Sequence, residues 1–490
     1  MKILLLSSSF EKSALAGINN SNSNYPLGLA YLHSYLEKKG HIIHSIFLND
    51  YTYEYCKKTF LKLLTEQKPD VVGFNVLTQN RTSTFHLIQL LHKKYPSIRI
   101  LIGGMHATVM YEQIIKRFPF VIAVLGEGEI TAGEVLDKFK YNKSLRAVAG
   151  IAYWSNHKII KTKNRELIKD LDTLPFPKHE AFFTPERTIA SITTIRGCPF
   201  HCSFCVLNKV TRSYPRVRSL KNVFAEIEYL MKKYPQLDTI WLMDDQFFLI
   251  NERVIKFCKE VIKRKIKLKF ICSGRFKPIS KKMVSVLEKA GFIQVLLGLE
   301  SGSPKILNLC HKYITQDDVM KAVTLFKNTK IQLTTFLIVG LYGETDETVN
   351  ETIQFVQKIQ KIKYIFFGDI FLPIPYPGTE LYEIAKKSKN LSDSFWLTDK
   401  QTPYFTVEHS LKELRMYKKR IMDSIGLTRI LTPSGFIRQY HMIPSIIMFF
   451  IKFIPMYPMY IHHVFERLFP SQYLKVRHLI LRLNGKSCTV

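Results

Sequence analysis

Three cysteines fall within eight positions, Cys198, Cys202 and Cys205, in the stretch RGCPFHCSFC at residues 196–205. Thiolate is the ligand that iron–sulfur and zinc centres select, and gaps of three and two residues let one loop turn around a single metal centre. Three thiolates are one short of a closed four-ligand site. A zinc tetrahedron would need His201 or a distant residue to complete it, and the chain has no second CxxC and no spaced histidine pair. The other five cysteines (Cys56, Cys258, Cys272, Cys310, Cys488) are scattered without paired spacing. Eight cysteines in 490 residues give no disulfide-scaffold density, and the compartment reads as reducing.

The elements that must position this loop follow from periodicity. A chain of 490 residues with 46% hydrophobic content predicts two or three domains with sizeable cores. MKILLLSSSF has an apolar run too short for a signal peptide and reads as a buried first strand. KILLLSS, GLAYLHSYLEKKG, HIIHSIFL, VVGFNVL, HLIQLLHKKYP, RILIGG and VIAVLGEGE then alternate strand and helix, which predicts an α/β, doubly wound parallel sheet over residues 1–140. Gly103 and Gly104 follow one strand and Gly126 and Gly128 another, at the carboxyl ends where such a sheet forms its ligand crevice; a turn after a strand also wants glycine on steric grounds alone. Residues 141–185, with the connection DTLPFPKHEAF, read as a linker. From IASITTIRGC, six strand–helix repeats (SITTI, TIWLMDD, KFICSGR, QVLLGLE, TTFLIVGL, IFFGDIFLPI) predict a partial parallel barrel over residues 186–390, its active site at the carboxyl ends of the strands.

Residues 391–490 read as a helical, apolar and basic region. YHMIPSIIMFFIKFIPMYPMYIHHVF is interrupted by Lys452, Pro444, Pro455 and Pro458, so it fails the requirement for about twenty uninterrupted apolar residues in a spanning helix. An interfacial segment flanked by Arg438, Lys452, Arg467 and Lys475 and a helical cap or apolar wall over the barrel are equally good readings. The formal net charge of +31 comes from lysines spread over the whole length, with no basic tail and no nucleic-acid module. It reads as a solvated face, and no nucleic-acid partner is expected.

CxxxCxxC directly after the first strand of a barrel resembles the signature of the radical S-adenosylmethionine superfamily. The resemblance implies a [4Fe-4S] cluster on Cys198, Cys202 and Cys205, with the open iron chelating S-adenosylmethionine; the missing fourth ligand is then the substrate-binding position. Further segments match in order. WLMDDQFFLIN resembles the second-strand segment and implies Asp244 and Asp245 near the methionine moiety. CSGR places Ser273 and Arg275 at the third strand end, and LGLESGS places Gly298, Glu300 and Ser301 at the fourth, where the family contacts the ribose and carboxylate. IVGLYGET and IPYPGTELY resemble the fifth and sixth segments. For the glycines the plain alternative is turn chemistry, and for Glu300 a salt bridge at the barrel mouth.

PLGLAYLHSYLEKKGH, VVGFNVL, IGGMHAT and VLGEGEIT resemble the cobalamin-binding domain found in front of this barrel in B12-dependent radical enzymes. The chain has no DxHxxG, the segment whose histidine coordinates cobalt in other cobalamin domains. This implies cobalamin without a histidine on its lower face, or a domain that has lost cobalamin, with Gly103, Gly104, Gly126, Gly128 and the loop residue His106 lining the pocket. The resemblance covers about residues 1–390. It implies radical methylation of an unactivated carbon in a cytoplasmic or membrane-associated enzyme. Its partners would be an electron donor such as a flavodoxin or ferredoxin and a small-molecule substrate, apolar or lipid-like if the C-terminal segment contributes. A non-methylating radical reaction such as an oxidative cyclisation or rearrangement is the alternative, and a cobalamin or redox sensor is a third reading.

Overall fold

The computed structural model describes residues 1–10, 25–184 and 187–425. Two compact units emerge. One comprises Met1–Arg187 with Ser392–Thr402, the other Thr188–Leu391 with residues 403–425.

In the first unit, seven strands form one sheet: β1 (Lys2–Ser7), β2 (Ile42–Phe47), β3 (Val71–Asn75), β4 (Arg99–Gly103), β5 (Val121–Val124), β6 (Ile151–Ser155) and β7 (Lys158–Lys161). Their order is β2-β1-β3-β4-β5-β6-β7, parallel through β5 and antiparallel thereafter. Ile3, Leu4, Leu5 and Leu6 of β1 are all buried, as expected of a central strand covered by helices on both faces. From β1 and β3 the chain departs in opposite directions across the sheet, so a crevice opens at their carboxyl ends.

The expected linker is corrected here. Residues 151–161 are the hairpin β6–β7, which adds two strands to the sheet, and the unit runs on to Arg187. Asn156 and His157 both take positive φ, 48° and 60°, between Ser155 and its partner Lys158. Two left-handed residues in a two-residue loop match the right-handed twist of a hairpin, but neither is the glycine that would have signalled it.

The second unit holds β8 (Ile189–Ile192), a short antiparallel pair β9 (Ile195–Arg196) and β10 (Arg216–Val217), then β11 (Thr239–Leu242), β12 (Lys269–Gly274), β13 (Phe292–Glu300), β14 (Gln332–Ile338) and β15 (Ile365–Phe371). The six long strands run parallel in the order β15-β14-β13-β12-β11-β8, with no pairing between β15 and β8. That is the expected partial barrel, open at one side. Its crossover helices are amphipathic: Leu220–Lys233 buries Val223, Phe224, Ile227 and Leu230 along one face. Side-chain N-caps start them, Ser219, Ser280, Thr315 and Thr345 each accepting from a backbone N–H of the first turn. Phe224, Phe257, Phe270 and Phe292 pack between helices and sheet with successive ring centres 5.2–5.6 Å apart, the Phe257–Phe270 pair edge-on and the other two stacked.

The expected C-terminal region divides. Residues 392–402 pack within the first unit, where Trp396 is fully buried, edge-on to His106 at 5.9 Å and under the Arg81 guanidinium at 5.2 Å. Arg81 also donates to Thr402 Oγ1 (3.1 Å), and Gln113 to Asp393 (3.1 Å). Helix Leu411–Ser424 packs on helix Asp346–Gln360 in the second unit. The apolar stretch around residues 440–465 lies outside the described residues.

Candidate active site

The cysteine loop follows β9, just beyond β8, and is anchored along its length. Asp244, just after β11, accepts from the Thr194 hydroxyl (2.6 Å) and the Ile195 N–H (2.9 Å), and also from the Thr194 N–H. Asp245 accepts from the Gly197 N–H at 2.6 Å. Gly197 has φ +96°, and a Cβ there would stand 2.7 Å from the Tyr214 carbonyl oxygen, so only glycine fits. Further on, the Ser203 N–H donates to the Cys310 carbonyl and the Leu381 N–H to the Ser203 carbonyl.

The paired aspartates therefore hold the loop. Burial pushes the Asp244 carboxyl up to about 6 against the pull of these donors, and raises Asp245 as well. Thr194 was not singled out from the sequence; its hydroxyl carries no motif of its own.

Cys202 is buried and Cys198 and Cys205 are half-buried. Burial raises the Cys198 thiol and pushes Cys205 up to about 11, and the neighbouring sulfurs add to both effects. With the Cys198 and Cys205 thiols raised in this way, a positive centre is needed to bind the loop's sulfurs as thiolates, which is what iron supplies. In a cubane each thiolate binds a different iron, so the three need not converge on one atom, and among the described residues no three such side chains do. The donor set thus fits an iron–sulfur cluster. A cavity of about 530 Å³ opens beside the loop, lined by His201, Cys202, Cys205, Asn208, His311 and Glu380.

The remaining residues expected at S-adenosylmethionine gather at the strand ends. Arg275 is buried, with one guanidinium nitrogen 3.7 Å from Cys202 Sγ and its carbon 3.8 Å from the centre of the Phe200 ring. Ser273 is half-buried at the end of β12. Glu300, at φ +68°, pairs with the buried Lys312 at 2.7 Å, and a Cβ on Gly298 would intrude on both partners. The salt bridge is thus present, and Lys312, 12 residues on, was invisible to motif reading. Ser301 bonds Thr352 Oγ1 (3.0 Å) and accepts from the Ser303 N–H (3.1 Å), which docks helix Asp346–Gln360 against the end of β13.

In the first unit, Gly104 (φ +95°) could not carry a Cβ, which would lie 2.8 Å from the Val76 carbonyl oxygen, whereas Gly126 (φ +79°) faces open space. Gly103 lies beside the Val124 carbonyl, and Gly128 begins helix Gly128–Lys140. Together the two loops present bare backbone at the carboxyl ends of β4 and β5, suited to the close approach of a large planar ligand. Below them a polar cluster that sequence reading missed links β1 to the chain after β3: Ser8 Oγ lies 2.6 Å from Thr84 Oγ1 and 2.9 Å from Ser83 Oγ, and Asn80 donates to Ser7 Oγ at 3.3 Å. SSS after a strand was the available signal.

His106 requires a correction. It sits in helix Met105–Val109, fully buried, with Nδ1 3.1 Å from Thr78 Oγ1. It is therefore not a loop residue facing a pocket. Burial, with Arg81 adding to it, lowers its pKa to about 3 and keeps the ring neutral.

Comparison with known proteins agrees with both units. Residues 192–356 match the model of the radical SAM superfamily and residues 16–136 that of the B12 binding domain. An uncharacterized methyltransferase of Pyrococcus horikoshii is 28% identical over 422 residues, covering 84% of this chain and 88% of that protein. The anaerobic magnesium-protoporphyrin IX monomethyl ester cyclase of Rubrivivax gelatinosus is 32% identical over 341 residues, 67% of this chain; the chain spans 61% of that cyclase. Among solved structures, the radical S-adenosylmethionine methyltransferase TsrM from Kitasatospora setae superposes with a TM-score of 0.65 at 19% identity, over 80% of this chain and 77% of that one, a likeness of fold. These matches identify a radical SAM domain over residues 192–356 behind a B12-binding domain over residues 16–136, in an enzyme that uses a [4Fe-4S] cluster, S-adenosylmethionine and cobalamin.

Proposed function

We propose that the enzyme transfers a methyl group to an unactivated carbon of a small molecule. The observation that carries this is the match to the Pyrococcus methyltransferase, which extends across both units and most of both chains. When bound, the cluster and cobalamin supply one-electron reduction and methyl carriage, chemistry no side chain provides. The chain's own contribution is placement. Cys198, Cys202 and Cys205 supply the thiolates, Asp244 and Asp245 hold their loop, and the Glu300–Lys312 pair and Ser273 border the barrel mouth where S-adenosylmethionine would lie. Gly103, Gly104, Gly126 and Gly128 would receive the corrin. His106 would act beneath it by positioning the Thr78 loop and not as a cobalt ligand.

The cyclase resemblance favours a second reading, radical chemistry without methyl transfer. Anaerobic reconstitution with iron, sulfide and cobalamin, followed by reduction with S-adenosylmethionine and chromatography, separates the two. Both 5′-deoxyadenosine and S-adenosylhomocysteine support methyl transfer. Deoxyadenosine alone supports the second reading, and neither product from a cluster-loaded protein refutes both. Radical SAM enzymes draw on an external electron donor, and here a flavodoxin or ferredoxin is proposed. No helix among the described residues is long and apolar enough to cross a membrane. A cytoplasmic enzyme touching a membrane or an apolar substrate through residues beyond about 435 remains part of the proposal; deleting them without changing vesicle partitioning would remove that part.

A further inference from the structure

We propose that Arg275 sets the reduction potential of the cluster by holding a fixed positive charge against the sulfur of Cys202. The inference depends on a cluster in the cysteine loop and not on whether methyl transfer is the reaction.

Two observations converge. First, Arg275 is 6% exposed, and among the described residues no carboxylate pairs with it; its one hydrogen bond runs to Cys202 Sγ at 3.7 Å. A buried guanidinium calls for a compensating anion, and a Cys202 thiolate bound to the cluster would supply one at the atom it already touches. Second, the planar group lies 3.8 Å from the centre of the Phe200 ring. Phe200 belongs to the cysteine loop itself, between Cys198 and Cys202, so the loop that binds the metal also aims the cation. Stacking of this kind suits the flat guanidinium and not an ammonium.

The consequence is electrostatic. When the cluster takes one electron from a low-potential donor, the negative charge on its sulfurs grows. A donor N–H and a full positive charge at one sulfur stabilise the reduced form more than the oxidised form and raise the potential; hydrogen bonding to the sulfurs and local charge are the protein's levers on such centres. This role differs from the one implied by the family resemblance, a contact to S-adenosylmethionine, and the two make separable forecasts.

The test is a redox titration of the full chain, reconstituted with iron and sulfide and without S-adenosylmethionine. Titanium(III) citrate serves as reductant, and the reduced cluster is followed by electron paramagnetic resonance. Iron and sulfide content report whether the cluster is in place. Arg275→Met is expected to shift the reduction equilibrium at least tenfold toward the oxidised form, about 59 mV more negative for a one-electron couple. Arg275→Lys, which keeps a charge without the stacked fork, and Phe200→Leu, which keeps the fork without its platform, are expected to shift it in the same direction by less. An Arg275→Met protein with full iron content and a potential within threefold of the parent overturns the proposal. Weakened S-adenosylmethionine binding alongside that unchanged potential assigns Arg275 to the cofactor. If Arg275→Met fails to hold iron, the two milder variants decide: graded negative shifts support the proposal, and potentials equal to the parent's overturn it.

Discussion

Replacing Gly197 by alanine tests how tightly the cysteine loop is specified. At φ +96° a residue with a Cβ costs about 1–3 kcal/mol in backbone strain. The added Cβ would also stand 2.7 Å from the Tyr214 carbonyl oxygen and 3.3 Å from Pro215 Cα, both backbone atoms that cannot swing aside as a side-chain tip can. Relief must come by moving the loop, which breaks the Gly197 N–H bond to buried Asp245, a charge-assisted bond of about 1.5–3 kcal/mol. The sum is about 2.5–6 kcal/mol, and for a unit of roughly two hundred residues each kcal/mol lowers Tm by about 2–4 °C. Gly126→Ala is the control, because Gly126 has φ +79° with no atom within 4 Å of the added Cβ, leaving the backbone strain alone. Thermal unfolding of the apo proteins by circular dichroism should show Gly197→Ala losing clearly more than Gly126→Ala, and iron per chain after reconstitution should fall only in Gly197→Ala. Equal losses in the two variants would refute the argument from close contact, and full iron content at an unchanged Tm would refute the loop's role altogether.

Lys312→Met strands Glu300 as a buried unpaired carboxylate and should destabilise by about 3–5 kcal/mol, with Glu300→Gln/Lys312→Met recovering part of the loss in denaturant titrations. Trp396→Ala empties a fully buried site and should cost about 3–5 kcal/mol, read as faster proteolytic cleavage within residues 392–402. His106 has its pKa lowered from 6.5 to about 3, so the unfolded chain binds the extra proton; the histidine's contribution is complete above about pH 6.5 and is lost as pH falls toward 3. His106→Gln should therefore flatten the acid limb of a Tm-against-pH curve over that window, and an unchanged slope would show that the ring protonates in the fold.

The sequence by itself determined the order of the parallel strands and helices in both units and pointed to the three cysteines, because strand–helix alternation and cysteine spacing are local properties of the chain. VVGFNVL and RILIGG read as buried parallel strands since they are apolar on both faces, and CxxxCxxC names its chemistry within eight residues. The tertiary structure alone decided what the polar residues touch. Asp244 and Asp245 were revealed as tethers of the cysteine loop, since their partners lie about fifty residues upstream and meet them only when β8 pairs with β11. Lys312 found Glu300 by folding back over the end of β13, and Trp396 found His106 across 290 residues, which moved that histidine from a pocket wall into the interior. Residues 151–161 joined the first sheet because β5 offered an unpaired edge, a fact about a neighbour and not about the segment itself. Periodicity reports which face of an element is buried, and only the assembled fold reports what it is buried against.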